Sequence, residues 1–418
     1  MTEPRKLLAI VYGEGSAAPM SLSASAVPLC DIAWVIDSTE MTDPRMLRLV
    51  RKLGRTVDLA GLSEEQAVEA VRALQPDGIV AYADAHIARA AALGEALGLD
   101  YFDRTVAHRL LDKVAQRRAF AEAGLPVPRC IEVPPRPSSE DVKSLAADVE
   151  FPVVLKPRHG AASRDTHLAE DPAELAELLE ELPVVEGPEP DMVIEEYMAA
   201  APTPPSPYFG DYVSVESVVS HGRISHLAVT GRLPSAPPFR ETGLIIPTDY
   251  PPPLVQSILG VATDAINAIG IRTGCLHTEI KMTDRGLRVI EVNGRIGGFV
   301  APVLALATGV DFIALSQRVA LGDDIVVEEL LPTDHVGYVI VGQPPLWARR
   351  VLSVTGLDRV AAQPGVDAVA LSKQMGAEVD WRKGSHEYVY SVLGRAPQPD
   401  DVRDLQQFID DEVDVVYE

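Results

Sequence analysis

At 418 residues the chain is longer than one hydrophobic core organises, so two to four subdomains are expected. Its 47% hydrophobic and 23% charged residues suit a soluble globular protein. A net charge of −24 argues against a nucleic-acid partner, because a phosphate backbone would be repelled, and any nucleotide site must then be locally basic. No apolar run reaches membrane-spanning length, and Met1 to Lys6 leads directly into a strand-like run, so neither a membrane partner nor a signal peptide is expected. Cys30, Cys130 and Cys275 show no metal spacing and cannot all pair, which fits buried thiols in a reducing cytoplasm.

Leu7 to Tyr12 (LLAIVY) is a continuous apolar run entering Gly13-Glu14-Gly15-Ser16, the pattern of a buried parallel strand and its loop. GEGSAA does not match the GxGxxG dinucleotide fingerprint. Further strand-like runs are Ile32 to Ile36, Thr56 to Leu59 and Gly78 to Tyr82. Helical patterns lie between them, at Ser63 to Leu74, where Ser63 and Gln66 form a capping box, and at Ala85 to Leu97. This alternation implies an open parallel α/β layer over residues 1–105, serving either substrate contact or scaffold.

Thr105 to Ala123 is expected as one helix carrying Lys113, Arg117 and Arg118, closed by Gly124, Pro126 and Pro128. Its basic face reads equally as a ligand contact or as a solvated surface. A helix at Val142 to Val149 follows, and then Phe151 to Lys156 (FPVVLK), a buried strand delivering a lysine to the loop Pro157 to Arg164. Small residues there, flanked by Lys and Arg, let backbone N–H groups approach phosphate oxygens. Asp171 to Leu182 reads as a helix, and Met192 to Met198 as a strand ending in two acids. Ala199 to Gly210 is a Pro-rich surface insertion.

Tyr212 to Val219 and Ile224 to Thr230 form a hairpin about Ser220-His221-Gly222. Gly231 to Asp249 reads as a long, Pro-rich irregular loop, of a kind that is either functional, as a lid is, or disordered. Helices are expected at Leu254 to Ile269 and Ala301 to Leu321. Between them lies HTEIKMTDRGLRVIEVNGRIGG, His277 to Gly298, a hairpin turning at Thr283 to Gly286. Alternation puts His277, Glu279 and Lys281 on one face of its first strand, and Val289, Glu291, Asn293 and Arg295 on one face of its second. If those faces coincide, two carboxylates and an amide oxygen converge, a sparse hard-oxygen set that suits Mg²⁺ completed by water and phosphate. The plain alternative is a surface hairpin of solvated charges. Gly337 to Glu418 reads as a small α/β appendage, with strands near Gly337 to Val341, Val366 to Leu371 and Glu387 to Leu393, and a helix from Asp400 to Ile409.

Lys113, Lys156, the small-residue loop, the acidic strand, and then Glu279, Glu291 and Asn293 occur in an order that resembles the ATP-grasp superfamily of carboxylate–amine ligases. HTEIK, FRETG and WRKGS look most like bacterial L-amino acid ligases of the bacilysin-synthetase kind, dipeptide-forming enzymes of antibiotic biosynthesis. The resemblance implies α/β and α+β architecture in an ATP-grasp fold. A pre-ATP-grasp α/β domain would span 1–105, a helical linker and lid 106–200, the metal and catalytic subdomain 201–325, and a C-terminal α/β subdomain 326–418. It implies an ADP-forming ligase working through an acyl phosphate, with ATP and Mg²⁺ as cofactors, Mn²⁺ able to substitute, and amino acids or short peptides as substrates.

By the same resemblance, Lys113 and Lys156 would hold the phosphates, and Gly160, Ala161 and Ser163 belong to the flap over them. Glu195, Glu196 and Met198 would receive the adenine, and Asp211 the ribose. Glu279, Glu291 and Asn293 match the Mg²⁺ ligands, and Arg295 the cation that steadies the phosphoryl group and oxyanion. His277 and Glu241 match positions beside the amino-acid substrates, His277 as proton acceptor or as hydrogen-bond donor. The flap departs from the pattern at Arg164-Asp165-Thr166, where relatives carry a glycine and an aliphatic residue, and the ribose acid is Asp where Glu is usual. Other readings are an ATP-grasp ligase acting on a non-amino-acid carboxylate, in natural-product or nucleotide biosynthesis, and a non-catalytic nucleotide-binding scaffold. A homodimer is the working expectation, with no residue behind it.

Overall fold

The computed structural model describes residues 5–41, 43–135, 137–181, 191–202, 206 and 208–418. The N-terminal layer runs β1 (Leu7–Val11), α1 (Pro19–Ala26), β2 (Asp31–Ile36), α2 (Pro44–Leu53), β3 (Arg55–Asp58), α3 (Glu64–Arg72), β4 (Gly78–Ala81) and α4 (Asp84–Leu97). Its strands are parallel in the order β3-β2-β1-β4, as the continuous apolar runs require of strands covered on both faces. Ser63 and Gln66 make the expected capping box, worth about 1 kcal/mol. Helix α1 lies in a segment with no clear helical period, whereas α2 (PRMLRLVRKL) is strongly amphipathic and opens on the cap Asp43 and Pro44, a start legible in the sequence.

The expected helix over 105–123 is two: α5 (Arg104–Leu111) and α6 (Lys113–Glu122). Asp112 breaks it by taking an extended backbone and accepting the N–H groups of Val114 and Ala115, so Lys113 becomes the first residue of a new helix. A small antiparallel sheet follows, ordered β5-β8-β6-β7. It comprises β5 (Cys130–Val133), β6 (Val153–Pro157), β7 (His167–Ala169) and β8 (Met192–Glu196), with α7 (Ser139–Ala147) and α8 (Pro172–Glu181) between them. The end expected for that last helix, Leu182, and part of the Pro-rich insertion (203–205 and 207) lie outside the described residues.

The remainder is one antiparallel sheet of eight strands, ordered β13-β12-β9-β10-β11-β14-β17-β16. In chain order come β9 (Tyr212–Ser220), β10 (Arg223–Arg232), β11 (Gly243–Ile246), α9 (Pro252–Ile269), β12 (Gly274–Thr283), β13 (Gly286–Asn293), α10 (Val300–Thr308), α11 (Phe312–Ala320) and β14 (Val336–Gly342). They are followed by β15 (Val351–Thr355), α12 (Leu357–Ala361), β16 (Val366–Leu371), β17 (Tyr390–Ala396), α13 (Pro399–Glu412) and β18 (Asp414–Tyr417). The C-terminal strands β14, β17 and β16 therefore extend the sheet that carries the hairpin, and β15 pairs separately with β18.

Three further expectations change. The loop read at Gly231 to Asp249 is largely strand: β10 continues through Arg232, and β11 pairs with β14, since GLII is apolar and fully buried. The helix read at Ala301 to Leu321 bends by 112° between α10 and α11, where Gly309 takes a left-handed conformation and Asp311 caps the second helix. In β13 a bulge opposite Glu279–Ile280 leaves Ile290 unpaired; Val289 now sits opposite Ile280 in the core, and Arg288 opposite Lys281. Val289 therefore does not share the face of Glu291.

The N-terminal layer is fastened to the large sheet through α11. Phe312, Val319 and Ala320 pack in one core with Leu8, Leu22, Ile32 and Trp34. Tyr82 Oη and Ser316 Oγ lie 2.6 Å apart, and Gln317 Nε2 donates to the Leu22 carbonyl at 2.8 Å. Among the described residues no single helix is long and apolar enough to cross a membrane.

Candidate active site

Antiparallel pairing sets Glu279 directly opposite Glu291 and His277 directly opposite Asn293. The two carboxylates are half-buried and sparsely held by protein groups. Glu279 lies 3.3 Å from His277 Nε2, and Glu291 accepts the Asn293 amide at 3.2 Å. Two facing carboxylates beside an amide, with His277 as the near cation of one of them, suit a divalent ion that keeps other ligands of its own. Glu279, Glu291 and Asn293 fit such an ion. Arg295 follows in the loop after β13; its Nη2 donates to Asn293 Oδ1 at 3.3 Å, and its Nε and Nη2 each lie 2.8 Å from Asp84 Oδ2. Burial works against the guanidinium charge, but Asp84, Glu291 and Glu279 outweigh it and raise its pKa.

Lys113 and Lys156 reach the same region from two elements. Arg158 clamps those elements together, donating to Asp112 at 2.6 and 2.9 Å. Lys156 Nζ lies 2.6 Å from Glu195 Oε2, and Arg117 grips the same carboxylate in a fork at 3.0 and 3.2 Å. Glu195 is 2% exposed. Burial alone would raise its pKa, but the two cations hold it at about 2. Its carboxylate is thus placed where it positions Lys156. For Lys113, burial lowers the pKa, and its charged neighbours are Glu291, Lys156, Glu195 and Arg117. Arg117 is a buried ion-pair partner rather than a solvated cation; it lies one helical turn after Lys113, a spacing visible in the sequence.

Lys113 Nζ also donates to the Gly160 carbonyl at 3.0 Å, at the start of the flap. Ala162, Ser163 and Asp165 all take positive φ, where glycine is the ordinary occupant. This conformation is supported from outside the loop. The Ser385 N–H donates to the Ala162 carbonyl at 2.8 Å, the Asp165 N–H to the Arg382 carbonyl at 2.8 Å, and Ser163 Oγ to the Phe239 carbonyl at 2.9 Å. A Cβ on Gly384 would stand 2.0 Å from the Ala162 carbonyl oxygen. Ala161 accepts the Arg164 N–H at 3.3 Å.

Below the flap, Glu196 meets Arg285 at 3.1 Å and Arg288 at 3.7 Å, while Met198 follows half-buried past the strand. Asp211 pairs with Lys281 at 2.8 Å, and the Lys281 ammonium also faces the Tyr197 ring, 5.4 Å from its centroid.

On the other side of the facing carboxylates lies a buried network. His277 Nδ1 lies 2.9 Å from Glu216, which also accepts from Ser214 at 2.8 Å and Thr230 at 3.0 Å. Burial opposes the charged imidazole, but Glu216 overcomes it and raises the pKa to about 9. Arg232 Nη2 lies 3.0 Å from His277 Nε2, and Arg232 Nη1 donates to Glu241 at 2.8 Å. Both ring nitrogens of His277 are engaged, so it lacks the free nitrogen that a base needs, and the donor role fits it better. Glu241 also receives the Tyr212 hydroxyl at 3.4 Å. Glu216, Arg232 and Asp84 were not singled out from the sequence; the signal for Glu216 is a polar residue on the inward face of the DYVSVE strand.

Residues 149–303 match the ATP-grasp domain family. The chain is 27% identical over 266 residues to alanine–anticapsin ligase of Bacillus subtilis strain 168, across 60% of this chain and 55% of that protein. The crystal structure of an L-amino acid ligase from Bacillus licheniformis superposes with a TM-score of 0.76 at 21% identity, over 100% of both chains. The biotin carboxylase domain of Hydrogenobacter thermophilus 2-oxoglutarate carboxylase, solved with MgADP, superposes at 0.68 with 17% identity, over 99% of this chain and 91% of that one. The chain spans about half the length of the curated relatives it matches. It therefore carries an ATP-grasp domain, set in an ATP-grasp fold that it shares over its whole length with an L-amino acid ligase.

Proposed function

We propose that this protein is an ATP-dependent, ADP-forming ligase that joins the carboxylate of an amino acid to an amine, itself an amino acid or short peptide, through an acyl phosphate. The observation that carries this reading is the convergence of Glu279, Glu291 and Asn293 with Arg295 on one side and Lys113 and Lys156 on the other. Alanine–anticapsin ligase and the L-amino acid ligase, named above, support the choice of substrates.

A carboxylate is a poor acyl donor until its oxygen takes the terminal phosphoryl group of ATP. Lys113 and Lys156 are placed to neutralise phosphate charge, and the flap from Gly160 to Ser163, tied to Lys113 through the Gly160 carbonyl, would add backbone N–H groups to phosphate oxygens. Mg²⁺ bound by Glu279, Glu291 and Asn293 would supply further charge neutralisation. Arg295, held by Asp84, offers a fixed cation to the transferred phosphoryl group and then to the tetrahedral oxyanion. The network of Glu216, His277, Arg232 and Glu241 pairs anionic and cationic groups next to that centre, as a zwitterionic amino acid requires.

Phosphate release from ATP and Mg²⁺, screened against amino acids singly and in pairs with product masses recorded, tests the reading. Release that needs a pair, with a product mass equal to the two less water, is the expected result. Release with non-amino-acid carboxylates alone would redirect it to a different acid. Glu291→Ala is expected to lower ATP turnover more than about a hundredfold with little change in thermal midpoint, because the side chain serves the metal and not the core. Retained turnover would sink the metal assignment.

A further inference from the structure

The ligase chemistry needs a base, because an amino group arrives as an ammonium and must lose a proton before it attacks. His277 is occupied at both nitrogens, by Glu216 on one side and by Arg232 and Glu279 on the other. Glu241 is held by Arg232 and Tyr212. Another imidazole also reaches the site. His386 lies in the 3₁₀ segment Trp381–Glu387, outside the ATP-grasp domain match.

Two anchors fix it there. On one side Ser385 Oγ accepts the Glu241 N–H at 3.0 Å, while Gln343 Nε2 donates to both the Glu241 and Ser385 carbonyls at 2.8 and 2.9 Å. On the other side the Tyr388 ring meets Phe299 edge-on at 5.6 Å, four residues past Arg295. The neighbouring Glu387 is drawn inward to Lys373 at 2.9 Å and is 3% exposed, whereas His386 is exposed. The charged groups around His386 are Arg295 from the loop after β13, Glu241 from the loop before β11, and Asp84 from the start of α4. Among the described residues the His386 ring has no hydrogen-bond partner. It is an imidazole with a free nitrogen, within electrostatic reach of Arg295, Glu241 and Asp84.

We propose that His386 is the base that takes the proton from the incoming amine; this rests on the ligase reading above. An ammonium beside Glu241 transfers one proton to the free imidazole nitrogen, leaving a neutral amine. Its lone pair forms the C–N bond at the acyl phosphate carbon, and the carbonyl electrons move onto oxygen opposite Arg295. Collapse of that oxyanion breaks the C–O bond to phosphate, which leaves with the bonding pair and takes the second nitrogen proton. His386 keeps part of its surface open to solvent, but desolvation by the site around it and the Arg295 charge lower its pKa, with Glu241 and Asp84 opposing, so the neutral ring that can accept a proton is favoured at pH 7.

The test compares His386→Gln with wild type in two reactions of the full chain. One is amide formation from two amino acids, at pH 7 and at higher pH. The other is hydroxamate formation from one amino acid, ATP and hydroxylamine, a nucleophile already unprotonated at neutral pH that needs no base. Amide formation at pH 7 is expected to fall by about a hundredfold or more, and the deficit to narrow as pH rises and the amine loses its own proton. Hydroxamate formation is expected to stay within about twofold of wild type, which also shows that the variant folds and activates the carboxylate. Equal loss of both reactions, or unimpaired amide formation, would overturn the base assignment. Failure of the wild type to form a hydroxamate with any amino acid would overturn the ligase reading itself, and the base assignment with it.

Discussion

Glu195 illustrates how a buried charge is made tolerable at a site that needs cations. Arg117 and Lys156 surround its carboxylate, and the group is held in its ionised form down to about pH 2. A carboxylate whose folded pKa lies below its ordinary 4.5 adds stability above that value and loses it as pH falls toward 2. The shift corresponds to roughly 3 kcal/mol at neutral pH. Glu195→Gln is therefore expected to be destabilised in urea at pH 7, with the gap from wild type narrowing between pH 4.5 and pH 2. Arg295 behaves differently, since its partners sit at the rim of the chemistry. Arg295→Ala is expected to slow ligation by about a hundredfold to a thousandfold while nucleotide affinity, measured by calorimetry, changes far less. Equal losses of both would make it only a nucleotide anchor.

At the scale of elements, the hairpin β12–β13 was readable because alternation and a turn sequence determine which residues face which way. Its bulge at Ile290 was not, because an inserted residue shifts one strand against its neighbour without any change in apolar pattern around it. The flap shows a related limit. Its left-handed residues, Ala162, Ser163 and Asp165, would be costly alone; the segment Arg382 to Ser385 holds Ala162 and Asp165 from more than two hundred residues away in sequence, and the Phe239 carbonyl holds Ser163. Gly384→Ala would place a side chain against the Ala162 carbonyl at a φ of 75°. A cost of about 1.4 kcal/mol or more in the closed flap is a tenfold or larger rise in KM for ATP, with faster protease cleavage in the flap. Unchanged values of both would mean that the contact is incidental.

At the scale of the whole molecule, the N-terminal layer does more than scaffold the large sheet. Packing of α11 against β4 and α1 sets the start of α4 beside the hairpin, so that Asp84 holds Arg295. Asp84→Asn keeps the side-chain shape and removes the charge that orients the guanidinium. Its kcat is expected to fall by about tenfold to a hundredfold, with ATP affinity within about twofold of wild type and little change in thermal midpoint. A wild-type kcat would show that Arg295 is oriented well enough by Asn293 alone.

Local sequence by itself determined the parallel layer and the hairpin with the side chains that share each of its faces, because strand alternation, capping and turn chemistry act over a few residues; Lys113 and Lys156 stood out as a pair only through the family resemblance. The break at Asp112 also had a local cause, a side chain able to cap, but the helical pattern continues through it and hides it. Tertiary structure alone decided which distant groups meet. Arg295 with Asp84, His277 with Glu216 and Arg232, and the flap with Gly384 are each joined by packing between elements far apart in the chain. Charges that neutralise one another across such distances leave no periodic trace along the chain; only the shared core that presses their elements together selects them.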